Sequence, residues 1–230
     1  MTWSCIYLMV STHMGYGFVF GYFLTLLFER VIFPNSSSEI ASFSVCLALL
    51  GLAGGFFPDI DRWERFGFSH RKTLHYLAGY GLLAIILIVF NCFYNLSVWI
   101  IGLSCFFAGA WLHSFMDIFD GFWGEDINKG VYEHLTGKWL KALNLIPFAT
   151  LWEWSLQSFA TVLVIAISPQ LAMTGPFPGW LIATVSYLAV WLFSTAYEFY
   201  RSVPRRWERE EIGLRKAGLE PKYRRLMAIR

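Results

Sequence analysis

Residues 74–94 read Leu-His-Tyr-Leu-Ala-Gly-Tyr-Gly-Leu-Leu-Ala-Ile-Ile-Leu-Ile-Val-Phe-Asn-Cys-Phe-Tyr, and no Asp, Glu, Lys or Arg appears from there until Asp117. An α-helix rises about 1.5 Å per residue, so roughly 20 apolar residues cross a hydrocarbon layer of about 30 Å. The stretch therefore accommodates two spans, at 74–94 and 96–116. Only helices and closed barrels satisfy their backbone groups in lipid, and these runs are continuously apolar rather than alternating with period two. The reading is helical.

Working outward, further apolar runs of this kind lie at 13–33, 40–57, 148–168 and 179–200. The composition of the 230 residues agrees: 57% are hydrophobic, 19% aromatic and only 15% charged, far from a soluble average. The expected fold is an all-α polytopic membrane helical bundle of about six transmembrane helices over residues 1–200, followed by a basic cytoplasmic tail at 201–230. No basic residue precedes the first apolar run and no small-residue cleavage site closes it, so the segment is expected to be retained. Cys5, Cys46, Cys92 and Cys105 are scattered without a CxxC pair, which suggests neither a disulfide framework nor a thiolate zinc site.

Charge sets the expected orientation. With six spans, Arg30 falls on one side and the other seventeen Lys and Arg residues fall on the opposite side. Lys and Arg favour the cytoplasmic face, so both termini are expected inside, in a cell (inner) membrane. The tail carries ten basic residues against Glu208, Glu210, Glu211 and Glu220, a balance that draws it toward anionic lipid or makes a solvated helix between Pro204 and Gly218.

Ionisable residues at membrane depth are costly, and here they gather at one set of span ends. His13 opens the first span, Asp59 and Asp61 follow the second, His70 and His75 precede the third, and His113 and Asp117 close the fourth. His113 and Asp117 are four apart, hence on one helical face a turn apart, a spacing suited to two ligands of one metal or of neighbouring metals. His70 and His75 diverge by roughly 140° on a continuous helix, which places His70 in the loop and His75 in the first turn. Asp59 and Asp61, in Phe-Pro-Asp-Ile-Asp, can turn oxygens back toward that loop.

Taken singly, each of these is an ordinary interfacial histidine or a turn-forming aspartate; it is their convergence that points to a divalent-metal site. Gly17 and Gly21, Gly51, Gly54 and Gly55, and Ala108 to Ala110 are small enough to let the helices approach closely. Leu135, Trp139 and Leu143, with Lys138 and Lys141 among them, fit a helix lying in the interface. On that reading His134 and Glu133 have a surface role, a further metal position being the alternative. Glu153 and Glu198 are read as interfacial.

With these residues assembled, the chain resembles the YdjM-like family of predicted membrane-bound metal-dependent hydrolases. The resemblance is carried by Thr12-His13, Phe57-Pro58-Asp59-Ile60-Asp61, the His-Arg-x-x-x-His run from His70 to His75, and His113-x-x-x-Asp117. It covers about the first 120 residues. Lys72 and Leu74 depart from the family's Gly and Thr, sparing the ligand-type residues, and a longer loop follows Asp117. The family is distantly similar to zinc-dependent phospholipase C. That likeness implies that Asp59 or Asp61, with His75, His113 and Asp117, ligates one zinc, and that Asp117 bridges to a second held partly by His13.

The expected cofactor is one to three divalent ions, zinc first. The expected activity is metal-assisted hydrolysis at the inner leaflet, on a lipid phosphoester, with no nucleic-acid partner. Asp59 or Asp61 would accept a proton or orient water, and Arg71 and Lys72 would bind phosphate or offset developing charge. Two rivals use the same residues: a transporter or proton-coupled carrier, and a non-catalytic scaffold whose metal only ties helices together. No internal repeat favours the carrier, and closed coordination would favour the scaffold.

Overall fold

The computed structural model of the protein describes residues 8–32, 37–62, 67–69, 71–94, 97–120, 129–143, 145, 151–171 and 178–197. These residues are mostly helical. The helices are α1 (Leu8–Leu27), α2 (Ser37–Ser42), α3 (Ser44–Phe56), α4 (Leu77–Tyr94), α5 (Val98–Asp120), α6 (Leu151–Ile167) and α7 (Gly179–Tyr197). Four stretches among the described residues are long and apolar enough to cross a membrane: Ser11–Ile32, Ser44–Asp61, Leu77–Tyr94 and Val98–Phe119. The apolar parts of α6 and α7, Ser155–Gln170 and Gly179–Phe193, are shorter.

The first two apolar runs are less regular than their composition implies. α1 widens into a π-helical turn at Phe28–Ile32. The run at 40–57 is interrupted at Phe43, whose φ of −108° and ψ of 6° separate α2 from α3. α3 then tightens into a 3-10 turn, Phe57–Arg62, which carries Pro58, Asp59 and Asp61.

Glycines bring α1, α3 and α5 into backbone contact. A Cβ on Gly51 would overlap the Gly17 carbonyl, and one on Gly55 the His13 carbonyl, both of α1. Gly54 faces the Phe106 carbonyl, and Gly109 of α5 faces the Gly51 carbonyl. Close approach of this kind is what small residues allow where lipid tails give helices no hydrophobic reason to associate. α4 lies outside α5 and turns Leu82, Ile85, Ile86 and Phe93 outward, all well exposed. α6 and α7 cover the far side of α1, where Phe18, Tyr22, Val164, Ala183 and Tyr187 form a core and Gln157 Nε2 donates to Ser11 Oγ at 2.7 Å.

The segment expected to form an interfacial helix is instead a β-hairpin, so the fold is helical with one small antiparallel addition. Strands β1 (Lys129–Glu133) and β2 (Lys138–Lys141) pair Tyr132 with Trp139 and Glu133 with Lys138. Two causes outweigh the helical spacing of Leu135, Trp139 and Leu143. Gly137 takes a positive φ of 64° in the connecting turn, a conformation that favours glycine and breaks a helix. Val131, Tyr132 and Trp139 are residues that suit a pleated surface, and the Tyr132 amide donates to the Arg71 carbonyl at 2.9 Å.

Candidate metal centre

The site is assembled at one end of the α1–α3–α5 core. α1 supplies His13, the 3-10 turn after α3 supplies Asp59 and Asp61, the segment before α4 supplies Arg71 and His75, and α5 supplies His113 and Asp117. Each of these side chains is at most 1% exposed. His75 lies two residues ahead of α4 rather than in its first turn. His70 and the tail at 201–230 lie outside the described residues, as do Glu198 and the side chain of Glu153.

Two overlapping donor groups result. In one, His13, His113 and Asp117 place ligand atoms within 4.8 Å of one another; in the other, Asp59, His75 and His113 do so. His13 Nε2 lies 3.7 Å from Asp117 Oδ1, and His113 Nε2 lies 3.7 Å from Asp117 Oδ2 and 3.8 Å from Asp59 Oδ1. Those distances exceed a hydrogen bond. They approach the roughly 3–3.5 Å that separates two donors each about 2.1 Å from one cation. The imidazoles cluster as well, the His13 and His113 ring centroids being 3.9 Å apart and those of His75 and His113 5.1 Å.

Hydrogen bonds behind the donors fix their tautomers. His113 Nδ1 is 2.6 Å from the Gly55 carbonyl, which can only accept, so Nδ1 carries the proton and Nε2 offers its lone pair to the cluster. His75 Nδ1 is 2.9 Å from Asp61 Oδ2, which also accepts the Leu74 amide at 3.1 Å. An imidazole backed by a carboxylate or a backbone carbonyl is the usual support of a metal-ligating histidine. Asp61 thus stands one step behind His75 and outside both donor groups. The donor chemistry and these supports fit a divalent cation: the buried His and Asp groups can hold a metal ion.

The electrostatics set a proton in competition with any ion at His75. Burial alone lowers the His75 imidazole, but the Asp61 and Asp117 carboxylates outweigh it and raise it to about 9. His75 Nε2 is 2.9 Å from Asp117 Oδ2. Arg71 is the cluster's permanent cation: Nε lies 3.3 Å from Asp117 Oδ2, and Nη2 and Nη1 donate to Asp117 Oδ1 and its backbone oxygen at 3.4 Å.

Lys72, paired with Arg71 in the sequence reading, is exposed and sets its ammonium 4.7 Å from the centre of the Tyr132 ring, away from the donors. His134 is exposed too, and Nε2 hydrogen-bonds the Lys72 carbonyl. Glu133 is buried rather than on the surface: its oxygens accept the Ala78 amide at 3.1 Å and the Leu135 amide at 3.0 Å, capping the start of α4. Sequence reasoning missed the two backbone groups that complete the site, the Gly55 carbonyl and the Tyr132 amide. The Gly54-Gly55 pair one turn before Pro58 was the available sign of the first.

Compared with protein-family models, with curated proteins and with solved structures, the chain gives no match. The class its own features define is a mostly helical protein, consistent with a membrane location, that buries a His/Asp cluster able to hold a metal ion.

Proposed function

We propose that the protein is a membrane-bound metal-dependent hydrolase working at the cytoplasmic face, with zinc as its ion and a lipid phosphoester as its substrate. In this reading α6 and α7 complete six spans and both termini are cytoplasmic, as the distribution of Lys and Arg favours. The observation that carries the proposal is the meeting of five buried donors, His13, Asp59, His75, His113 and Asp117, from four separate parts of the chain. It also draws on the resemblance of the motifs around these residues to those of the YdjM-like family.

A bound divalent ion of this kind acidifies water toward a pKa of about 7 and polarises a phosphoryl oxygen. The protein's own groups do the rest. His113 and His75 present Nε2 because Gly55 and Asp61 hold their other nitrogens. In this reading Asp59 orients the water or takes its proton. Arg71 holds the Asp117 carboxylate in place. A second reading, a metal that only ties helices together, is favoured by one observation: every donor is at most 1% exposed.

The test uses the full chain purified in detergent, with metal analysis beside release of phosphorylated head groups from a panel of phospholipid vesicles. Stoichiometric zinc with turnover that Asp117→Asn abolishes, and that His134→Ala leaves largely intact, is the expected result. Bound metal without turnover on any lipid ester would transfer the assignment to the structural tie. Absence of metal, with no stabilisation by added zinc, would leave only a hydrogen-bond network.

A further inference from the structure

We infer that the centre is built for a single divalent cation, and that the Arg71 guanidinium occupies the place beside Asp117 that a second ion would take. This rests on the reading of the cluster as a metal centre and settles what the donor list alone leaves open, because two overlapping groups suggest two ions.

The first argument is the lone pair of His113. His113 belongs to both donor groups, yet its Nδ1 is committed to the Gly55 carbonyl at 2.6 Å, so only Nε2 is available to either. One nitrogen lone pair binds one ion, so at most one of the two three-donor groups can be complete at a time.

The second argument is the carboxylate of Asp117. A carboxylate that bridges two ions directs oxygens at both. Here the guanidinium already lies against both side-chain oxygens, at 3.3 and 3.4 Å, and reaches the Asp117 backbone oxygen at 3.4 Å. The planar fork of arginine matches a carboxylate in this way and keeps its charge under all conditions.

The third argument is charge. With His75 neutral, as a ligand must be, Asp59, Asp61 and Asp117 oppose Arg71 among the described residues at the site, leaving two negative charges in a fully buried setting. One divalent ion neutralises them, whereas a second would leave an uncompensated double positive charge where desolvation is costly.

Arg71 is also held firmly enough for the role. Its φ of 57° lies in the left-handed region that non-glycine residues rarely adopt, a conformation that persists only where the surroundings impose it. Its carbonyl accepts the Tyr132 amide of β1 at 2.9 Å. Arg71 is thus a positioning residue that acts through Asp117.

The experiment is a Mn²⁺ titration of the full chain in detergent after chelation, read by metal analysis and electron paramagnetic resonance. The expected result is one ion per chain with the spectrum of an isolated Mn²⁺. Two ions per chain with a spin-coupled spectrum would overturn the inference and leave the metal-centre reading standing; no bound ion would remove both. Arg71→Met, which keeps bulk without charge, is expected to admit a second, coupled ion, and Arg71→Lys to restore one. An Arg71→Met protein that still binds a single isolated ion would show that Arg71 does not set the count. Because the wild-type measurement decides the stoichiometry, a variant that fails to fold leaves the test intact.

Discussion

Alanine at two glycines of the same helix pair separates backbone contact from ordinary side-chain packing. At Gly54 of α3 a Cβ would run into the Phe106 carbonyl of α5, while at Gly102 of α5 it would meet Leu50 Cδ1 of α3 at 2.6 Å. A leucine methyl can turn aside; a helix backbone cannot. Gly54→Ala must push the helices apart by about 1 Å, and a gap of that size forfeits roughly a quarter to a half of the dispersion attraction across the contact. Overpacking typically costs about 1–3 kcal/mol, and the clash with backbone puts Gly54 near the upper end. Alanine returns up to about 1 kcal/mol through its better helix propensity. The net loss for Gly54→Ala is therefore about 2 kcal/mol, or about 4–8 °C in apparent Tm for a chain of this size. Gly102→Ala, with the same propensity gain and a movable neighbour, stays within about 1 kcal/mol of wild type. Thermal unfolding of both variants in detergent, followed by tryptophan fluorescence, gives the comparison. Gly54→Ala is expected to weaken metal binding as well, because the His113 hydrogen bond to Gly55 crosses that seam. Equal melting temperatures for the two variants would refute the claim that α3 and α5 meet through backbone at Gly54.

Glu133→Gln removes the negative charge and one acceptor oxygen at the start of α4, so it should cost about 0.5–1.5 kcal/mol and lower the apparent Tm in the same assay; an unchanged Tm would deny the cap. The raised value of His75, about 9, means that a proton sits on this imidazole throughout the neutral range. A cation must displace it, so affinity for Zn²⁺ should climb about tenfold per pH unit from pH 6.5 toward 9 and level off above, as measured by competition with a chromophoric chelator. A flat profile would mean that His75 is not a ligand. A reporter fused after Arg230 is expected to be active in the cytoplasm; activity only outside the cell would reverse the topology and move the centre to the opposite face.

The helices that make the core were legible because lipid demands long uncharged runs, and Leu74 to Met116 satisfies that demand without interruption. The members of the cluster were legible for the opposite reason: His13, Asp59, Asp61, His75, His113 and Asp117 are residues that a membrane segment does not carry by chance. Their partition was not, since which aspartate backs a histidine and which faces it depends on the 3-10 turn at Phe57–Arg62, a local tightening with no strong sequence mark. Arg71 was read together with Lys72 as binding phosphate or offsetting developing charge, because neighbours in a loop look alike until one of them takes a positive φ and turns inward. The hairpin was misread through a choice of period: Leu135, Trp139 and Leu143 match a helix, while Val131, Thr136-Gly137 and Trp139 match two short strands and a turn. Glycine at the turn was the deciding residue.

The hairpin also sets an order of events in biosynthesis. Every donor lies between residues 13 and 117, whereas the strand whose Tyr132 amide and Glu133 carboxylate hold the 71–78 segment begins only at Lys129. A chain made amino end first therefore has its full set of donors before it has the piece that fastens them. During that interval the segment bearing Arg71 and His75 lacks its tether, although the histidines and aspartates of the cluster are already made. On the proposed reading of the cluster as a metal centre, uptake of an ion would then belong to the nascent chain as much as to the finished protein.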